Sequence, residues 1–246
     1  MNKIFFASSK TNILWHPIAA LAFFAGNKEK LHEKIILKSA QRLLQNKFDA
    51  SIWKNALNEI KNEDYLPANR HDKIVVGNSI NTMLGKWLYC SIRALKPLKI
   101  IETGIAHGSS SWVILNAINK NKQGRLYSLD LPNNDTNFAY NLEGKQLKTG
   151  WLVPNELTKN WSMIFGDTKE TLPKLLEELN SIDYFFHDSD HSYQHMSFEF
   201  KTVFPFLAKE GLISSDDINK NLAFQDFVSD KKMNTILFTK GGSAIK

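Results

Sequence analysis

The chain has 246 residues, 43% of them hydrophobic and 23% charged, which is enough apolar material for one large domain with its own core. That balance excludes an intrinsically disordered, collagenous or low-complexity chain. The formal net charge of +6 is scattered in short pairs such as Lys231-Lys232; a solvated basic surface is expected, with no nucleic acid as partner.

Lys3 and Lys10 precede an apolar run from Ile13 to Gly26 that superficially resembles a signal peptide. His16 and Pro17 interrupt it and it is too short to span a bilayer, so a buried or interfacial helix is expected. Up to about residue 70 the apolar positions recur near helical spacing: Leu31, Ile35, Leu43 and Leu44, then Ile52, Trp53, Leu57 and Ile60. Pro67 and Asn69 mark a break. A helix is predicted over 80–95, stopped by Pro97, and it carries the single cysteine, Cys90. One cysteine builds neither a disulfide framework nor a zinc cluster, so Cys90 is expected as a small core residue in a reducing compartment.

From residue 98 onward short apolar strands at 98–103, 125–130, 161–165, 182–187 and 211–215 alternate with helices at about 109–121, 168–180 and 193–207. Alternation of this kind implies βαβ units and a parallel sheet with right-handed crossovers. The stretch from 234 to 246, with Gly241-Gly242 inside it, suggests a terminal hairpin. The expected fold is therefore α/β: a Rossmann-like, doubly wound, mostly parallel sheet with a C-terminal antiparallel hairpin. Residues 1–74 form an N-terminal helical extension and 75–246 the main domain. Residues 131 to about 160 show no clear periodicity and are rich in Pro, Asn and Gly. A loop of that length, following a strand's carboxyl end, is expected to serve the site, as a lid for example.

The turn after the first strand reads Glu102-Thr103-Gly104-Ile105-Ala106-His107-Gly108-Ser109-Ser110. Gly104 permits a tight turn and Gly108 a close approach of backbone to ligand. Ser109 and Ser110 open a helix, where hydroxyls and amides suit a carboxylate or phosphate. The second strand ends in Asp130, where an acid can accept hydrogen bonds from ribose hydroxyls. The third ends Gly166-Asp167; that acid can bind an adenine amine or cap the next helix. The fourth runs into His187-Asp188-Ser189-Asp190-His191-Ser192-Tyr193, and the fifth ends Asp216-Asp217. Asp188, Asp216 and Asp217 would come together, and oxygen-only ligands suit Mg²⁺ or another hard divalent cation. One of these acids can equally cap a helix.

These motifs, in this order, resemble the class I S-adenosylmethionine-dependent methyltransferases. The branch they resemble has a D-x-D-H-S-Y signature (methyltransferase family 24) and is similar in layout to metal-dependent catechol and caffeoyl-CoA O-methyltransferases. The resemblance covers about residues 75–246. It implies that Glu102, Gly104, Gly108, Ser109, Ser110, Asp130 and Asp167 bind S-adenosylmethionine, with Glu102 and Gly104 along the methionine portion, Asp130 at the ribose and Asp167 beside the adenine. It also implies a cation at Asp188, Asp216 and Asp217. His191 falls where those enzymes place a lysine base, and with Asp188 it is the expected catalytic pair. Asp217 stands in place of the usual Asn, His191 in place of Lys, and Lys209-Glu210-Gly211 in place of the common Gly-Gly.

The expected activity is methyl transfer to a small-molecule hydroxyl, of a sugar or natural product, in the cytoplasm where the methyl donor is made. Helical extensions of this sort often meet a second subunit in such enzymes, so a homo-oligomer is allowed. Two other classes remain open from the residues alone. A nicotinamide-dependent oxidoreductase would also place an acid at Asp130, but Ala106 stands where the dinucleotide fingerprint needs its second glycine. A non-catalytic binding module with a basic N-terminus at a membrane surface is the other.

Overall fold

Successive residues of the central strands are sorted to opposite faces of one sheet. Ile100, Tyr184, Phe186 and Leu212 join one apolar cluster, and Ile101, Phe185 and Ile213 join the other. Burial on both faces is why these strands read as unbroken apolar runs. The structure, a computed structural model, describes residues 28–48, 50–62, 82–132, 140–142, 145–238 and 240–246. The apolar run 13–26, the break at Pro67 and the first residues of the helix predicted from 80 lie outside the described residues.

In chain order the elements are α1 (Lys28–Leu44), a 3-10 turn, α2 (Ala50–Asn62), α3 (Met83–Leu95), β1 (Lys99–Thr103), α4 (Ser109–Asn121) and β2 (Arg125–Asp130). Then follow β3 (Tyr140–Leu142), β4 (Lys145–Leu147), a second 3-10 turn, β5 (Trp161–Phe165), α5 (Thr168–Leu179), β6 (Ile182–His187) and α6 (Tyr193–Val203). The last are β7 (Leu207–Ser215), α7 (Ala223–Asp230), β8 (Asn234–Leu237) and β9 (Gly242–Ile245). Seven strands form one sheet in the order β5-β2-β1-β6-β7-β9-β8; the first five are parallel, and β9 runs antiparallel to both β7 and β8. The fold is the expected Rossmann-like sheet with its C-terminal hairpin.

Helices α1 to α4 cover one face and α5, α6 and α7 the other. The N-terminal helices share the core of the first layer: Ile36, Ala40, Leu43 and Trp53 lie in one cluster with Trp87 and Trp112. Glu59 on α2 accepts a two-pronged hydrogen bond from Arg93 on α3, at 2.8 and 2.9 Å. Cys90 is fully buried, as expected. No described helix is long and apolar enough to cross a membrane.

Three details differ from the sequence reading. Helix α6 stops at Val203 rather than 207, because Pro205 has no N–H to continue the ladder. Strand β7 begins at Leu207 rather than 211: it pairs with Ile182 first, then bulges through Glu210, at φ 65, before Leu212 meets Tyr184. Helix α7 was not anticipated; Asn221, one residue before its N-cap Leu222, accepts from Ala223 N at 2.8 Å, and Phe224, Phe227 and Val228 face the core.

The 131–160 connection is also ordered along much of its length. Strands β3 and β4 pair as a small ribbon, and the chain then docks on the turn after β1. Gly150 N donates to Ala106 O at 2.9 Å, Leu152 N to His107 O at 3.1 Å, and Trp151 Nε1 to His107 Nδ1 at 2.9 Å. Gly150 has φ 74, and a Cβ there would lie 2.4 Å from Trp161 Cη2. Gly150→Ala is therefore expected to cost about 2 kcal/mol of unfolding free energy, from left-handed backbone strain plus the displaced indole. Urea denaturation of the two proteins checks this.

Candidate active site

β1 is flanked by β2 on one side and β6 on the other, so successive crossovers diverge there and leave a crevice beyond the carboxyl ends of the strands. The site residues expected from the sequence follow the carboxyl ends of β1, β2, β5, β6 and β7. The turn after β1 is pulled tight against β6: Asp188 N donates to Thr103 O at 2.9 Å, and a Cβ on Gly104 would meet Asp188 O at 2.1 Å. Gly104 and Gly108 both adopt positive φ, 85 and 88, and so does Ala106 at 49.

Asp130 holds this turn in shape. Its Oδ2 accepts from Ile105 N and Ala106 N at 2.9 and 3.0 Å, and its Oδ1 accepts from Leu131 N at 2.8 Å. Asp167 caps α5 by accepting from Lys169 N at 2.8 Å. No side chain caps the amino end of α4, where Ser109 and Ser110 stand half-buried behind Gly108.

Glu102 is fully buried at the end of β1. Its Oε2 accepts from Ser111 Oγ at 2.5 Å and Ser128 Oγ at 2.7 Å, while its Oε1 is buried and accepts nothing. Burial pushes its pKa up from 4.5 to about 7, against the pull of the serine hydroxyls around it.

The second group sits across the crevice. His191 Nε2 stands 3.6 Å from Asp188 Oδ1 and 3.8 Å from Asp217 Oδ2, inside ion-pair range of both but bonded to neither. Lys220 Nζ takes Asp217 Oδ2 at 2.7 Å. Asp216 Oδ1 accepts from Asp217 N at 2.8 Å, with Asp217 at φ 47. Burial raises the pKa of Asp188, and Asp188 beside it raises that of His191. Asp188 is the outward member of the pair, its side chain 33% exposed against 18% for His191. Asp190, the other acid of the signature, is exposed and locks the turn by accepting from Ser192 N and Oγ.

A protein-family comparison matches residues 101–218 to the methyltransferase domain of family 24. The chain carries an S-adenosylmethionine-dependent methyltransferase domain. No curated protein sequence matches it. Among solved structures it is similar in fold to a methyltransferase from Geobacter sulfurreducens, at 16% identity and TM-score 0.53, over 81% of this chain and 96% of that one. It is likewise similar to CalS11, a calicheamicin methyltransferase, at 16% identity and TM-score 0.50, over 96% and 99% of the two chains. The nicotinamide reading is thereby set aside.

The methyltransferase's residues fit the methyl donor. Buried Glu102 Oε1 lacks a partner and suits an ammonium, and the uncapped amino end of α4 suits a carboxylate. The anticipated cation fits less well. Among the described residues no group of three or more His, Cys, Asp and Glu side chains is arranged to hold a metal ion. The trio Asp188, Asp216 and Asp217 is divided, with Asp217 tied to Lys220 and His191 standing within 4 Å of both Asp188 and Asp217.

Two site residues escaped the sequence reading. Lys220 lies on the turn after β7 with no motif around it. Glu199, on α6, accepts from His187 and Ser189; a carboxylate on the apolar face Met196, Phe200, Val203 was the available signal.

The raised pKa of Glu102 ties the stability of the fold to pH. Below about pH 4.5 the carboxyl is protonated in both folded and unfolded chains; from there to about pH 7 the unfolded chain ionises while the buried group keeps its proton, so the unliganded protein loses about 3 kcal/mol, all of it by about pH 7. An ammonium ligand offsets the charge of the buried carboxylate. The gap in melting temperature between free and S-adenosylhomocysteine-bound protein should therefore widen from pH 5 to pH 7, and Glu102→Gln should flatten it. Differential scanning fluorimetry across that range makes the comparison.

Proposed function

We propose that this methyltransferase acts on a hydroxyl of a small molecule, a sugar or natural-product acceptor, with the Asp188–His191 pair taking the proton. The observation that carries the reading is adjacency. The turn that would hold the methionine end of the donor, at Glu102 and Gly104, touches the backbone of Asp188 itself. CalS11 is described as a TDP-rhamnose 3'-O-methyltransferase, which supports a hydroxyl acceptor for a chain of this fold. The cytoplasm is the matching location, because the donor is made there.

S-adenosylmethionine, when bound, supplies a methyl group activated on a sulfonium. The protein's part is placement and proton management. Glu102 and the amino end of α4 grip the amino-acid moiety. Asp130 serves the turn with both oxygens, and lone pairs left on them are available to ribose hydroxyls. Asp167 spends Oδ1 on its helix cap, which leaves its second oxygen for an adenine amine. Asp188 faces the crevice and receives the proton from the acceptor hydroxyl; His191 behind it shares the load, so the two titrate as a pair.

No step in this reading passes through a cation: the Lys220 ammonium already stands beside Asp217, and the Asp188–His191 pair takes the proton. Asp188→Asn and His191→Gln should each reduce methyl transfer by about 100-fold or more. The assay follows label from S-adenosylmethionine into a panel of nucleoside-diphosphate sugars and catechols. Transfer within about twofold of wild type in both variants would sink the pair's role. Wild-type transfer should survive dialysis against EDTA. A loss on chelation that Mg²⁺ restores would mean instead that Asp188, Asp216 and Asp217 exchange their ion pairs for a metal.

A further inference from the structure

Behind the catalytic edge lies a buried carboxylate to which the proposed proton transfer assigns no part. Glu199 is fully buried on the inner face of α6. Its Oε2 accepts from Thr103 Oγ1 at 2.7 Å and from His187 Nδ1 at 2.6 Å. Its Oε1 accepts from Ser189 Oγ and His195 Nε2, both at 2.9 Å. His195 Nε2 also lies 3.0 Å from Thr168 Oγ1, at the start of α5. One carboxylate thus gathers the end of β1, the end of β6, the turn that follows β6 and the first turn of α6.

We propose that Glu199 is a positioning residue: through His187 and Ser189 it sets the place of the Asp188–His191 pair. The proposal rests on that pair having the proton-accepting role given above. Two contacts make the link. Ser189 is the next residue after Asp188, so its tether to Glu199 fixes the backbone from which Asp188 projects. His187 precedes Asp188, and its ring stands edge-on to His191 with centroids 5.4 Å apart. Because a carboxylate only accepts, Nδ1 of His187 carries the proton in the bond to Glu199, and its ring orientation is set from behind. Nε2 of the same ring is buried with no hydrogen-bond partner. A packing role alone would not call for a charged side chain here, since an isolated buried carboxylate is costly unless donors surround it. The hydrogen bonds from His187 and His195 outweigh burial and hold the Glu199 pKa down to about 2, so it is ionised throughout the working range.

The test uses the full chain, saturated with S-adenosylhomocysteine and labelled with ¹⁵N on the histidine rings. Glu199→Gln keeps the shape but presents an amide where two donors converge. It should bind S-adenosylhomocysteine within about threefold of wild type by calorimetry. It should also lose the His187 Nδ1–H signal and displace the ring resonances of His191. Glu199→Asp should restore part of the wild-type pattern. Ser189→Ala, which leaves the buried carboxylate in place, gives a second reading should Glu199→Gln fail to fold; it should move the His191 resonances by less. Wild-type His191 resonances in folded Glu199→Gln, or in Ser189→Ala where that is the variant read, overturn the proposal. Failure of the underlying reading looks different. Retained methyl transfer after His191→Gln removes the pair's chemical role while the ring resonances still respond to Glu199.

Discussion

At the carboxyl ends of β1 and β6 two backbones approach so closely that only glycine fits: a Cβ on Gly104 would lie 2.1 Å from the Asp188 carbonyl oxygen. The rest of the site depends on this contact. It exists because β1 and β6 are neighbours at the point where the sheet's winding changes direction, so their following turns splay apart above a shared crevice. It joins the glycine turn after β1, with Glu102 behind it, to the turn after β6 that carries Asp188 and His191.

Around this seam the protein places buried acids in contrasting surroundings, and the surroundings decide their chemistry. Glu102 receives two serine hydroxyls on one oxygen and nothing on the other, so burial dominates and its proton is held tightly. Glu199 receives four side-chain donors, so hydrogen bonding dominates and its charge is secure. The first keeps one buried oxygen without a donor; the second has donors on both oxygens. Asp188 lies between these extremes, partly open to the crevice and balanced by His191. Asp130 and Asp190 spend their charge on backbone amides and so shape the two turns that the other acids use.

The sheet was legible because its parallel strands are buried on both faces, which forces runs such as Ile100-Ile101 and Tyr184-Phe185-Phe186 to be apolar throughout. The glycine turn and the acids at strand ends were legible for a related reason: each follows directly from an apolar run. Less visible were features whose partners are distant in sequence. Gly150 carries no local signal of its contact with Trp161, and nothing near Lys220 announces its bond to Asp217. Helix α7 was missed although Phe224, Phe227 and Val228 repeat at helical spacing, because eight residues make a short pattern.

By itself the sequence determined the alternation of strands and helices, the places where the chain turns at the carboxyl edge, and the identities of the acids and histidines gathered there. These are local properties, set by hydrophobic periodicity and by the few residues that tolerate tight turns. Only the tertiary structure decided which acids are paired and which are left waiting. Lys220 claims Asp217, His191 stands between two carboxylates, Glu199 collects donors from four segments, and Glu102 keeps one oxygen unmet. The physical reason is that an ionisable group's behaviour follows from burial and from the donors that reach it, and those are supplied by segments as much as 96 residues away.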